Sequence, residues 1–278
     1  MKRFNRKHFR QLCLHLALIF ASIIALYPIL WTFMSSLKTD AEFFENIFMP
    51  PAVPQFMNYV SAWTMARMGA AFFNSLYISF FTVLLVVIIS TLASFAFARD
   101  KSRLMKFFYI AFIAAIMIPP DVLFLTMFFQ LRDLGLINNR WGVIYPSVSL
   151  GIPLSIFILT NYIKDLPQEL FDSATIDGCS RFRLLSHITV PLISAPLGAV
   201  VIFQFTGIWN SFMLPLVILR SNELRVLPQV LNAFVGQFNI QYTGLFAGIM
   251  ITFFPILIVF IFFSKSFMQG MTQGAIKG

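Results

Sequence analysis

Six separate stretches of this chain stay largely apolar for about 20 residues or more, the length at which a helix crosses the hydrocarbon of a bilayer. They run over 12–35, 72–98, 107–129, 142–162, 192–219 and 243–263. No other feature restricts the fold as much. In lipid each backbone N–H and C=O must be satisfied within its own segment, so each stretch is expected as a helix. The composition fits: 59% of residues are hydrophobic, 11% are charged, and mean hydropathy is +0.82. A soluble domain carries about 25% charged residues. A soluble enzyme, a disordered regulator and a disulfide-stapled secreted module are therefore excluded. The expected fold class is an all-α membrane protein, a single transmembrane domain over 1–278 with six spans and no appended soluble domain. The first run is too long for a signal peptide and ends in Tyr27-Pro28-Ile29-Leu30-Trp31, so it reads as an uncleaved span. The third is interrupted by Pro119-Pro120.

Six spans leave both termini on one side. That side carries Lys2, Arg3, Arg6, Lys7, Arg10, Arg99, Lys101, Arg103, Lys106, Lys164, Arg181, Arg183, Lys265 and Lys277, fourteen of the 20 basic residues. The other side carries Lys38, Arg67, Arg132, Arg140, Arg220 and Arg225. By the positive-inside rule the termini are cytoplasmic. The net charge of +9 is thus distributed by topology, and no nucleic-acid partner is expected.

Little in the chain carries chemistry of its own. A phosphate-cradling Gly-x-x-x-x-Gly-Lys-Ser/Thr loop and a His-Glu-x-x-His zinc pair are both absent from the sequence. Cys13 and Cys179 lie far apart, without disulfide or metal-ligand spacing. His8, His15 and His187 sit beside no plausible nucleophile cluster. The chain is expected not to be an enzyme, with no catalytic residue, cofactor or metal. Any energy source must be a gradient or a partner protein. An ion-coupled carrier needs ionisable groups within the membrane. The one clear acid is Asp121, just after Pro119-Pro120, which either lines a polar cavity or is hydrated near the outer interface.

The loop over 163–188 is the most informative stretch. Pro167 suits a first helical position, and Asp165 is placed to help cap. Glu169 and Asp172 favour the positive end of the helix dipole. Gly178 suits the left-handed residue that ends a helix. A short helix over 167–177 with a sharp stop is expected. Leu166, Leu170, Phe171 and Ala174 gather at helical spacing into an apolar patch facing away from the acids. Such a patch either packs on the chain's own helices, the preferred reading from amphipathicity alone, or docks into a groove on another protein.

This loop resembles the "EAA" loop of the inner-membrane permeases of binding-protein-dependent ABC transporters. The family pattern is Glu-Ala-Ala, three residues, Gly, nine residues, Ile, two residues and Pro. Here Asp172-Ser173-Ala174, Asp177-Gly178, Ile188 and Pro191-Leu192 occupy those places, with departures at Asp172, Ser173, Cys179 and Leu185. Tyr27-Pro28-Ile29-Leu30-Trp31, Ser35-Ser36-Leu37-Lys38, Asn74-Ser75, Ile118-Pro119-Pro120, Leu134-Gly135-Leu136-Ile137-Asn138 and Trp209-Asn210 are similar to the sugar-transporter branch. The tail from Phe267 to Gly278 resembles that of the maltose-transporter type of permease.

The resemblance implies a MetI-like permease fold in a bacterial-type cell membrane. It implies a heterodimer with a homologous second permease, two ABC ATPase subunits that bind the ATP, an extracytoplasmic sugar-binding protein, and a carbohydrate substrate, specifically an oligosaccharide. The helix at 167–177 would be the ATPase-coupling helix, with Glu169, Leu170, Phe171, Asp172, Ala174, Asp177 and Gly178 as its residues. Docking then becomes the preferred role for Leu170, Phe171 and Ala174, with Ala174 small enough for close approach. Asp177 would fix the turn or contact the ATPase, and the tail would insert between the ATPase subunits. Asp121, Gln204, Trp209 and Asn210 are the candidate substrate-pathway residues. Trp209 reads first as an interface aromatic. Gln204 and Asn210 read first as bonds between helices and second as contacts to sugar hydroxyls. The rival readings are a gradient-driven carrier using Asp121 and a membrane scaffold with no pathway.

Overall fold

The computed structural model describes residues 6–65, 67–234 and 241–275, with the side chains of 6–8, 65, 233 and 265–275 outside that description, and all its regular elements are helical. The chain divides into two packing units, Met1–Met68 with Leu231–Phe253, and Gly69–Val230 with Phe254–Gly278.

The first unit opens with α1 (Arg6–Ser36), continues through α2 (Asp40–Glu45) and α3 (Met57–Met65), and receives the start of α14 (Tyr242–Ala275). The most apolar window of α1 has no buried residue within the chain, so its large side chains are available to lipid or a partner helix. Burial begins at the C-terminal end of α1, with Ser35 and Ser36, and continues through Leu37 and Lys38. Lys38 is fully buried, and its ammonium donates to the Asn46 carbonyl at 2.6 Å and that of Ile47 at 3.3 Å. Those carbonyls do for the charge what water would otherwise do. Asp40 accepts from both the backbone N–H (3.1 Å) and the hydroxyl (2.8 Å) of Thr243, satisfying a donor at the start of α14. Trp31, Phe43, Tyr242 and Phe246 pack as an aromatic cluster with neighbouring ring centroids 5.2–6.2 Å apart. Helix α14 continues through Ala275. The tail segment singled out in the sequence falls on undescribed side chains, and 276–278 lie outside the described residues altogether.

The second unit contains α4 (Met68–Arg99), which takes in the 72–98 run, and α7 (Trp141–Lys164), which takes in 142–162. The 107–129 run is not one helix. It forms α5 (Arg103–Ala115) and α6 (Pro120–Asp133), bent by 103°. The cause is Pro119-Pro120, which remove two donors and push Ile118 out of helical geometry. Ile116, Met117 and Ile118 instead bond to the carbonyls of Ile113, Ala114 and Ala115, a tightened last turn.

The expected span over 192–219 also differs. α9 (Arg181–Arg183), a π-helical turn at Leu184–Thr189 and α10 (Val190–Leu192) lead to α11 (Ser194–Trp209), with a 77° bend before α11. Pro196 lies in the first turn of α11, where its missing N–H interrupts the ladder to the preceding segment. α11 stops at Trp209, and α12 (Met213–Ile218) is a separate element. A further short helix, α13 (Leu227–Leu231), follows. Among the described residues, four helices are long and apolar enough to cross a membrane, or up to six if each bent pair is one span.

The core of this unit joins Ile78 and Val86 of α4, Val143, Ile144 and Val148 of α7, and Leu214 and Ile218 of α12. α7 and α11 meet closely at Gly151. A Cβ there would fall on the side-chain carbonyl of Gln204, which donates from Nε2 to the Gly151 carbonyl (3.0 Å) and the Ser155 hydroxyl (3.1 Å). Gly151→Ala is expected to displace that amide and cost about 1–3 kcal/mol. Thermal unfolding of the purified chain in detergent reads this. Combining it with Gln204→Ala should cost less than the sum of the two single substitutions, since they share one contact.

Candidate functional site: the helix between two spans

Within the 163–188 loop lies α8 (Gln168–Ile176), with Pro167 as N-cap and Asp177 as C-cap. Pro167 therefore stands one position outside the helix, and Asp165 closes α7 instead of capping α8. The stop is a Schellman turn. Gly178 has φ +77°, its N–H bonds to the Thr175 carbonyl (3.0 Å), and the Cys179 N–H bonds to that of Ala174 (3.0 Å).

One face of α8 is committed to the chain itself. Phe171 is 1% exposed and Ala174 7%, and both pack with Leu184, flanked by Phe95, Leu166, Cys179 and Ile188. Arg99, the last residue of α4, lays its guanidinium 3.9 Å above the Phe171 ring and donates to Gln168 Oε1 at 2.7 Å. Gln168 Nε2 in turn donates to Asp172 Oδ1 at 2.8 Å. Phe171 and Ala174 are thus packed within the chain, which leaves neither side chain open to a partner in this structure. Leu170 remains exposed.

The opposite face is Glu169, Asp172, Ser173 and Ile176, spaced i, i+3, i+4, i+7 and all exposed. Ile176, 86% exposed, is the residue that sequence reasoning missed. Its signal was an apolar side chain on an otherwise polar stripe. Asp177 is also exposed. In the turn after α4, the backbone N–H and hydroxyl of Ser102 hold the Asp100 carboxyl below the usual carboxylate range, with Arg181 adding to the effect.

The four pathway candidates are not brought together into one constellation. Asp121 is exposed in the first turn of α6, where an acid complements the helix dipole. Gln204 is engaged between α7 and α11, in accord with the interhelical reading. Trp209 is 1% exposed, stacked on Phe205 at 5.3 Å and edge-on to Phe72 at 5.8 Å, so it is a packing residue and not an interface aromatic. Asn210 is exposed at the end of α11, and its amide donates to the Thr206 carbonyl of its own helix (3.0 Å).

These features describe a multi-pass helical membrane protein with an exposed, anchored helix between two of its apolar segments. Residues 86–273 match the family described as binding-protein-dependent transport system inner membrane component. The chain belongs to that family. It is 31% identical over 265 residues to the diacetylchitobiose uptake system permease protein NgcG of Streptomyces coelicolor, covering 95% of this chain and 88% of the relative. It is 33% identical over 263 residues to the arabinooligosaccharides transport system permease protein AraQ of Halalkalibacterium halodurans, covering 93% and 94%. Its fold is similar to a chain in the crystal structure of a bacterial ABC transporter involved in import of the acidic polysaccharide alginate. The TM-score is 0.80 at 21% identity, over 96% of this chain and 99% of that one.

Proposed function

We propose that this chain is the membrane-spanning permease subunit of an ATP-driven importer that carries a carbohydrate, specifically an oligosaccharide, into the cytoplasm. A homologous permease completes the pathway, an extracytoplasmic binding protein delivers the sugar, and two ATPase subunits bind the ATP on the side that holds the termini. The chain itself needs no cofactor. Relatives named for diacetylchitobiose and arabinooligosaccharides support the substrate class. The observation that carries the energy-coupling role is α8, exposed on one face and locked to the spans on the other.

The exposed face offers an apolar knob, Ile176, bordered by Glu169 and Asp172. It suits an ATPase cleft with an apolar floor and a basic rim. Phe171, Ala174 and the Arg99 contacts hold α8 against α4 and the π-helical segment. A force on α8 is then transmitted to the bundle and not absorbed by a loop. The test is uptake of labelled arabino- and chito-oligosaccharides into proteoliposomes holding the assembled complex, with binding protein and with or without internal ATP. Uptake only with ATP supports the reading, and ATP-independent uptake overturns it. A gradient-driven carrier would depend on Asp121. Asp121→Asn is expected to leave ATP-driven uptake within about twofold of the parent, as exposed substitutions away from packing usually change little.

A further inference from the structure

Beside α8 lies a cavity of about 710 Å³ with a cationic rim and an apolar wall. Its cations are Arg99, Lys101, Lys106 and Lys164, against the single carboxylate of Asp100. Arg99 is engaged with Phe171 and Gln168, and Asp100 accepts the Ser102 N–H at 2.8 Å. Lys164 lies 4.3 Å from the centroid of the Tyr109 ring. Among the described residues, no carboxylate pairs with Lys101, Lys106 or Lys164. The wall is made by Phe97, Ile110 and Ile163, and α5, which carries Ile110, also exposes Phe107 and Phe108.

We propose that this cavity binds the phosphate headgroup of an anionic phospholipid. Lys101, Lys106 and Lys164 surround the phosphate, and an acyl chain runs along Phe97 of α4 and Ile110 of α5. Three lysines without carboxylate partners at the end of membrane helices attract anionic headgroups. The apolar wall favours a lipid over a soluble anion, which would leave that wall unused. Leu166 and Gln168 border the cavity and also take part in anchoring α8. The lipid therefore sits where it can stiffen the α8 anchor. The inference rests on the cytoplasmic placement of this end proposed above.

The test places the assembled importer in phosphatidylcholine nanodiscs doped with a photoactivatable phosphatidylglycerol and maps crosslinked peptides by mass spectrometry. Crosslinks are expected within 97–110 and 163–168. They should fall at least about tenfold in the Lys101→Gln/Lys106→Gln/Lys164→Gln variant and persist in the matching Arg variant, because the attraction depends on charge. Unlabelled phosphatidylglycerol should compete, and inorganic phosphate should not. Crosslinks unchanged by the Gln variant, or removed by inorganic phosphate, overturn the proposal. Loss of the ATPase subunits in the Gln variant would assign the lysines to a protein contact and also overturn it. ATPase co-purification with the parent chain is read in the same sample, so failure of the importer reading is seen separately.

Discussion

Gly178→Val is expected to abolish ATP-driven uptake while the chain remains inserted in the membrane. The position has φ +77°, and a Cβ added there meets no atom within 4 Å. The penalty is therefore one of backbone conformation and not of collision. A non-glycine residue in the left-handed region costs about 1–2 kcal/mol, and a β-branched one is a genuine outlier there. If the backbone relaxes to escape that strain, the Gly178 and Cys179 hydrogen bonds to Thr175 and Ala174 are lost. Each such bond contributes about 1 kcal/mol. A nine-residue helix has no reserve of its own, since isolated helices shorter than about 12–15 residues are marginal. The cause also fixes a rank order: Asn tolerates the left-handed region best, Ala is intermediate and Val is worst. Uptake and ATPase co-purification across the three variants should fall in that order. Full uptake by the Val variant would remove Gly178 from the account of coupling.

Phe171→Ala and Ile176→Asp are expected to fail in opposite ways. Phe171 is buried beneath Arg99, and its truncation should cost about 3–5 kcal/mol. The purified chain should unfold at a lower temperature, and α8 should become accessible to protease. Ile176 touches solvent over most of its surface, so Ile176→Asp should change stability by no more than about 0.5 kcal/mol. It should nevertheless weaken ATPase association by about 30-fold, the scale of a central contact worth about 2 kcal/mol. Thermal unfolding and quantitative pull-down on the same preparations separate the two effects. Equal loss of stability in both variants, or unimpaired ATPase binding by Ile176→Asp, would show that the two faces of α8 have been misassigned.

Much of this was legible in the residues. Apolar runs marked the spans because lipid leaves the backbone no alternative to helix. Pro119-Pro120 marked a break, although not its 103° angle, which depends on packing around the turn. Gly178 marked the end of α8 because few residues accept its φ. The start was less sharp, since Pro167 suits both the N-cap and the first turn. Which face of α8 is buried was harder to read. Phe171 and Leu170 are adjacent and both apolar, and only the positions of Phe95, Leu184 and Ile188 decide that the first is covered and the second is not. The fifth apolar run hid two breaks, at Ile193, where the neighbouring residues are apolar, and after Trp209, where Asn210-Ser211 are only a short polar interruption between apolar stretches. Trp209 could not be told from an interface aromatic until Phe72 and Phe205 were seen against it.

The exposed face of α8 is expected to be where an ATPase engages this permease. The direct measurement is photocrosslinking in native membranes from a photoreactive residue placed at position 176, with mass spectrometry of the adduct. A P-loop ATPase captured from position 176, with no such adduct from position 171, is the expected result. Adducts from 176 to lipid or to a second permease alone would contradict it.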